Sequence, residues 1–516
     1  MASGLMEFDL VINNGKLVIP PDIISASIGI KGEKIAAIAT DLSPIAAKRT
    51  IDANGNYVLP GVVDPETHLG VHRSLEDDFI SETKAAVAGG VTTWGMMLTS
   101  PTISRSFKPV KDPQDSVPFS HVMSAYEDMG NEHSMVDYFL TPLVSNDAQV
   151  EEIPLLAEKY GATSYKYYLH LKRGQETLGQ WEPQKKIGVY GFDDGTVYIG
   201  MEHVGRLGPP CITCIHPENW EIIRVLQARL IKRGRKDNAA WDERCPHFVE
   251  AIHVRQYAYL AKVTKSPLYI VHTTTQESID EIKLARNEGV RVIGETGFVY
   301  LTLDHDAYKI NVPLRDRQTM DQLWRAVANG DVDCVGSDHV NHGVPREEME
   351  VKGDVWKTIS GFSSRVEAML PLMLSEGVNK GRITLPRCVE FCCENPAKAF
   401  GLFPKKGVLR VGGDADLVLV DLKQKQTINK NMLFTSAGWS IFEGWEVTGW
   451  PYQTILRGEI ASEWNEKEQK HQMVSKPRGK YQARKLGYAT YPINYDGEFK
   501  DLTTEAQRTR SKEFFD

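Results

Sequence analysis

Between residues 60 and 400, strand-like runs alternate with helical patterns, and this alternation limits the fold more than any other feature. The runs are Val91-Thr-Thr-Trp94, Val136-Asp-Tyr-Phe139, Ala162-Thr-Ser-Tyr165, Cys211-Ile-Thr-Cys-Ile215, Leu268-Tyr-Ile-Val271, Val290-Arg-Val-Ile293 and Asp333-Cys-Val335. Helical patterns over 82–88, 150–159, 248–263 and 276–287 lie between them. With the opening strand near Pro60, there are eight β/α repeats over roughly 330 residues. Strands that alternate with helices build parallel sheets covered by those helices. The predicted fold class is therefore α/β, a (β/α)8 barrel of the TIM type.

The flanks have a different texture. Residues 5–58 read as short alternating strands with turns at Asn13-Asn-Gly15 and Gly32-Glu33, and β texture returns over 407–421 and 454–460. The expected organisation is a β-sandwich built from 1–58 and 401–465, a barrel over 59–400, and a polar C-terminal arm over 466–516 that lies at a subunit interface. A formal charge of -8 without a long basic block argues against a nucleic-acid partner. No apolar run is long enough to span a bilayer, and the start lacks the regions of a signal peptide. Seven scattered cysteines suit a reducing cytoplasm, and Cys211 and Cys214 read as small buried residues in a strand.

A barrel of this kind keeps its chemistry at the C-terminal ends of its strands. The first strand ends in Asp64-Pro-Glu66-Thr-His68, and residues at i and i+2 share a face of a strand, so Glu66 and His68 can converge. The fourth carries Lys166 inward, the fifth ends in His216, the sixth in His272 and the eighth in Ser337-Asp338-His339. A lone strand-end histidine is ordinarily structural, and a lone inward lysine is ordinarily an ion-pair partner. Five strand ends that each offer a metal-competent group read as a metal site made of Glu66, His68, Lys166, His216, His272 and Asp338. A divalent ion with an open position lowers the pKa of bound water from 15.7 toward about 7 and polarises an attacked carbonyl. Asp338 is the candidate catalytic residue that takes the proton from that water and hands it to the leaving group.

The residues also carry a resemblance. Pro60-Gly-Val-Val-Asp-Pro65, Tyr165-Lys166, His216-Pro-Glu-Asn219, Tyr269-Ile-Val-His272, Gly294-Glu-Thr296, Pro313-Leu-Arg315, Ser337-Asp-His339, Glu394-Asn-Pro-Ala-Lys398 and Asp414-Ala-Asp-Leu417 span nearly the whole chain. In these motifs the chain resembles the amidohydrolase superfamily, in its dihydropyrimidinase, hydantoinase and allantoinase branch. The resemblance implies N6-carboxylation of Lys166, which would bridge two divalent metals. One metal would be held by His216 and His272, and the other by His68 and Asp338. It also implies self-association as a homotetramer or homodimer, with the C-terminal arm crossing to a neighbour.

The chain departs from the family pattern at the pocket. The family's first strand offers His-x-His, whereas here the first position is Glu66. A glutamate that ligates shifts preference from zinc toward manganese or magnesium; one that does not reach leaves a single metal. A substrate-holding Tyr five residues after the bridging lysine is replaced by Leu171, preceded by His170, and the loop that contacts the cyclic amide is replaced by Ile359-Ser360-Gly361. His72, His170, Leu171 and Ser360 are the candidate substrate contacts, with a structural role open for both histidines. Arg315 reads as an ion-pair partner.

The expected activity is hydrolytic opening of a small cyclic substrate, a cyclic amide or imide, with one or two manganese or zinc ions. The alternative is a manganese-dependent C–C hydrolase that opens a cyclic 1,3-diketone, in the manner of dihydrophloroglucinol cyclohydrolases. A non-catalytic scaffold related to dihydropyrimidinase is the third reading, and the metal-competent strand ends argue against it.

Overall fold

The computed structural model describes residues 7–43, 45–98, 118–169, 193–358 and 365–488. His170, Leu171 and Ser360 lie outside the described residues.

The N-terminal strands β1 (Phe8–Ile19), β2 (Asp22–Lys31), β3 (Lys34–Ala39), β4 (Ala47–Asp52) and β5 (Tyr57–Pro60) come first. They join β15 (Leu417–Thr427), β16 (Glu446–Leu456), β17 (Glu459–Asn465) and β18 (Lys470–Met473) in one nine-stranded sheet. Its order is β18-β17-β16-β15-β5-β1-β2-β3, with β4 paired to β1. The sheet curls over a core of its own that includes Leu10, Ile12, Leu17, Ile28, Val58, Leu417, Leu419, Ile455 and Ile460. Both chain ends therefore build one flanking β unit. Tyr57–Pro60 belongs to this sheet through β15 and β1, and the barrel begins at Val62.

Eight parallel strands follow: β6 (Val62–His68), β7 (Val91–Leu98), β8 (Asp137–Pro142), β9 (Ser164–Tyr168), β10 (Ile212–His216), β11 (Leu268–Ile270), β12 (Val292–Gly297) and β13 (Cys334–Gly336). Consecutive strands pair in register, and a bridge from Leu143 to Lys166 joins β8 to β9. The ring closes where the short β14 (His339–Val340) pairs with β6 and Ser337 donates its N–H to Asp64 at 3.0 Å. Burial pushes the Asp64 carboxyl up to about 6, against the Ser337 and Glu66 N–H groups that favour its charge. Asp64 is thus the seam of the barrel. Interior side chains such as Val63, Phe139, Cys214, Tyr269 and Cys334 form one cluster with Phe400 at the floor, where Phe139 and Tyr269 pack against its ring.

The helix expected over 82–88 begins earlier, at Leu75–Ala88. Ser74 caps it by accepting from Asp77 N–H at 3.1 Å, and Glu76, Asp77 and Asp78 complement the helix dipole in the first turn. An acidic first turn has no apolar period to reveal it. The helix at Gln276–Asn287 falls where periodicity puts it, and His247–Thr264 extends the expected helix by one residue at each end. Past β18, residues 478–484 lie against the barrel floor of their own chain. Gly479 N–H donates to Ser134, Gln482 N–H to Tyr138 and Arg484 N–H to Gly161.

Candidate active site

The strand ends position the site. In the β9–β10 register Lys166 sits opposite Cys214 and His216 opposite Tyr168. Cys214 belongs to the barrel interior, so Lys166 points inward as well. It is fully buried and ion-paired to Glu66 Oε1. From the end of β6, His68 Nε2 lies 3.9 Å from Glu66 Oε1 and 3.4 Å from Asp338 Oδ1. Glu66, His68 and Asp338 each offer a ligand atom within 4.8 Å of the others, and all three are buried. Glu66 Oε2 is buried without a hydrogen-bond partner. A buried carboxylate oxygen left in that state is costly unless something positive meets it. Two carboxylates and an imidazole make a donor set that suits a divalent cation, with the carboxylates favouring the harder ions. The donor set therefore fits the metal that the fold implies.

His216 and His272 form a second group, with ring centroids 4.3 Å apart edge to face. Tyr168 links the groups: its hydroxyl is 3.2 Å from His68 Nε2 and its ring stacks 5.0 Å from His216. Buried Glu218 approaches His216 Nε2 at 2.7 Å. The sequence reading passed over Glu218 inside a motif because it lies beyond the strand, where no period assigns a direction.

Asp338 and His272 both adopt positive φ, 47° and 38°. Non-glycine residues held there cost of order 1–3 kcal/mol each and collect at functional sites. Burial alone would raise the Asp338 carboxyl. The hydrogen bond from His68 and the charges of Arg365 and Lys166 outweigh it, so the group sits below the ordinary carboxylate range. Asp338 is thus held as a carboxylate. Arg365 is completely buried and its Nη1 lies 3.4 Å from Asp338 Oδ2. It arrives from a polar stretch after β14 with no periodic signal, so sequence reasoning missed it. Arg365 also donates its backbone N–H to His339 Nδ1 at 3.1 Å, while His339 Nε2 meets Glu82 at 2.9 Å. Burial would raise Glu82, but His339 and the hydroxyls around it bring its carboxyl down to about 2.

His72 is brought to the same side of the barrel and stacks on His342 with centroids 4.0 Å apart and planes 22° apart. Burial beside His72 and Arg365 holds His342 well below the usual imidazole range. His342 is a further residue the sequence reading did not single out. Arg315 pairs with Asp242 at 2.7 Å and Glu250 at 3.3 Å, away from the donor cluster, as an ion-pair partner should.

Comparison with known proteins bears on the family and the fold. Residues 252–461 match the amidohydrolase family. A D-hydantoinase from Geobacillus stearothermophilus is 31% identical over 465 residues, covering 87% of this chain and 92% of the relative. An L-hydantoinase from Paenarthrobacter aurescens is 31% identical, covering 89% of this chain and 95% of the relative. The crystal structure of a dihydropyrimidinase from Brevibacillus agri superposes with a TM-score of 0.79 at 29% identity, over 93% of this chain and 99% of that one. The matches run over most of each chain, and amidohydrolases are metal-dependent hydrolases. The chain belongs to the amidohydrolase family, in its hydantoinase and dihydropyrimidinase branch.

Proposed function

We propose that the chain hydrolyses a cyclic amide or imide, opening the ring at its carbonyl, and that Glu66, His68, Lys166, His216, His272 and Asp338 hold one or two manganese or zinc ions for the purpose. The observation that carries this reading is the buried Glu66, His68 and Asp338 cluster at the barrel's strand ends, in a chain 31% identical to hydantoinases. A divalent metal bound there would lower the pKa of water and polarise the ring carbonyl. The chain's own residues do the rest. Asp338, kept ionised by His68 and Arg365, takes a proton from the attacking water and returns it to the leaving nitrogen. Arg365 fixes the carboxylate's orientation. Tyr168, aimed between His68 and His216, is placed to donate to oxygen charge that develops on the carbonyl.

Lys166 in this reading is N6-carboxylated. Its ammonium pairs with Glu66, so carboxylation replaces a cation with an anion beside two buried carboxylates. That is tolerable only when divalent charge compensates. Metal and carboxylation should therefore rise and fall together, read as a gain of one carbon dioxide in the intact mass. Self-association as a homotetramer or homodimer belongs to the same proposal. Exposed Phe248, Ile252, Tyr259 and Val263 along the helix at His247–Thr264 support it, and light scattering on an eluting column checks it. A cytoplasmic location is supported by seven free, buried thiols. No helix among the described residues is long and apolar enough to cross a membrane.

The test is ring opening, read by mass spectrometry as the gain of one water. The chain is loaded separately with manganese and zinc and given hydantoin, dihydrouracil and dihydrophloroglucinol. Opening of a nitrogen ring is the expected result. Opening of the carbocycle alone overturns the proposal in favour of C–C cleavage.

A further inference from the structure

Arg244 and Lys309 are both 3% exposed, and neither has a carboxylate within ion-pair distance among the described residues. The guanidinium of Arg244 lies 3.5 Å from the centroid of the Trp241 ring, and Lys309 Nζ lies 4.0 Å from the same ring. Arg244 Nη2 donates to Asn311 Oδ1 at 3.2 Å, while its Nε is buried with no hydrogen-bond partner. Lys309 Nζ donates to the Thr358 carbonyl. Two like charges therefore share one indole in a dry place.

Other buried cations among the described residues find acceptors, and even Arg484, which also has no carboxylate and lies over the Phe139 ring, donates to the Gly161 and Leu140 carbonyls and to Ser164 Oγ. Arg315 has Asp242 and Glu250, and Lys406 has Asp137, Asp414 and Asp416. Burial and the nearby Arg244 charge push Lys309 down to about 7, so a negative group placed between the two would relieve both. The position is also suggestive. Arg244 follows β10, Lys309 follows β12 and Thr358 follows β14, so all three lie on the strand-end side with His216 and Asp338. Glu218, hydrogen-bonded to His216, is the acid whose charge bears most on Arg244.

We propose that Arg244 and Lys309, backed by Trp241, form an anion subsite that recognises a carboxylate carried as a substituent on the cyclic substrate. A guanidinium with an open Nε and a neighbouring ammonium suit a carboxylate's two oxygens, and the indole gives the cations a wall that needs no counter-ion. The proposal deepens the cyclic-amide reading and rests on it for the ring, though not for the anion.

The test uses the manganese-loaded full chain and titration calorimetry with hydantoin-5-acetate and hydantoin-5-acetamide, which match in shape and differ in charge. The acid is expected to bind about tenfold or more tightly than the amide. In Arg244→Gln and in Lys309→Met the acid-to-amide ratio falls toward one, and Arg244→Lys restores part of it. Equal binding of acid and amide by the unaltered chain overturns the proposal, as does a ratio untouched in both variants. The comparison in the unaltered chain decides even where a variant fails to fold. Turnover of both rings is followed in parallel. Acid preference without turnover sinks the ring-opening reading and leaves the subsite standing; turnover without acid preference does the reverse.

Discussion

Among the described residues stand two buried triads of potential ligands, one at each end of the barrel, and they behave in opposite ways. At the strand ends stand Glu66, His68 and Asp338; at the floor stand Asp137, Asp414 and Asp416. On proximity alone both could hold an ion. At the floor, Lys406 Nζ already fills the centre, ion-paired to Asp137, to Asp414 at 2.8 Å and to Asp416 at 2.6 Å. The remaining oxygens accept from Arg457 and Lys480 N–H at Asp137, Lys34 at Asp414 and Arg457 N–H at Asp416. The floor triad is a closed lock that ties the barrel, the flanking sheet and residues 478–484 together. Asp414 Oδ2 at the floor makes no hydrogen bond but is ion-paired to Lys406, whereas Glu66 Oε2 in the strand-end triad has neither a hydrogen bond nor an ion pair among the described residues, and Asp338 beside it sits at positive φ. Clustered acids alone therefore do not identify a metal site. What does is whether the cluster has satisfied itself.

The sharpest way to separate the two ends is to remove one function from each. Asp338→Asn keeps the shape but not the base, and ring opening should fall about a thousandfold while the fold persists. Activity and circular dichroism measured together check it. Lys406→Met leaves three buried carboxylates without their cation, and unfolding in denaturant should show a loss of about 3–5 kcal/mol. Bound metal in the folded fraction should stay as in the unaltered chain. Metal loss in Lys406→Met would merge the two ends and break the comparison.

A smaller effect concerns Glu82, which is satisfied like the floor by His339, Asn341 and Ser436. Its carboxyl is depressed to about 2 in the folded chain against an ordinary 4.5. A depressed acid contributes its full stability above the unfolded value and loses it as pH falls through the folded one. Melting temperature in the unaltered chain should therefore drop as pH goes from 4.5 toward 2, and Glu82→Gln should flatten that limb. The smallest expected change is Glu66→His, which should move metal preference from manganese toward zinc by about tenfold, read by competitive loading and elemental analysis.

Much of this was legible in the sequence because strands alternate and barrels act at strand ends. The run Asp64-Pro-Glu66-Thr-His68 gave its geometry away by period alone, as did Lys166 and His216. Arg365, Glu218 and His342 were not legible. They come from irregular segments whose direction is set by tertiary packing, and no spacing rule predicts that Arg365 turns back onto Asp338. Arg244 and Lys309 are 65 positions apart in the numbering and meet only across Trp241. The positive φ of Asp338 and His272 was invisible for the same reason: side-chain identity does not report strain. At the floor, Lys406 reads as one of several lysines near a turn, and only the fold gives it three aspartates.

The most direct measurement is anomalous diffraction from crystals of the chain grown with manganese. The account predicts an anomalous peak within bonding distance of Glu66, His68 and Asp338, and none at Asp137, Asp414 and Asp416. A peak at the floor, or a chain that crystallises with activity and no peak at the strand ends, would contradict it.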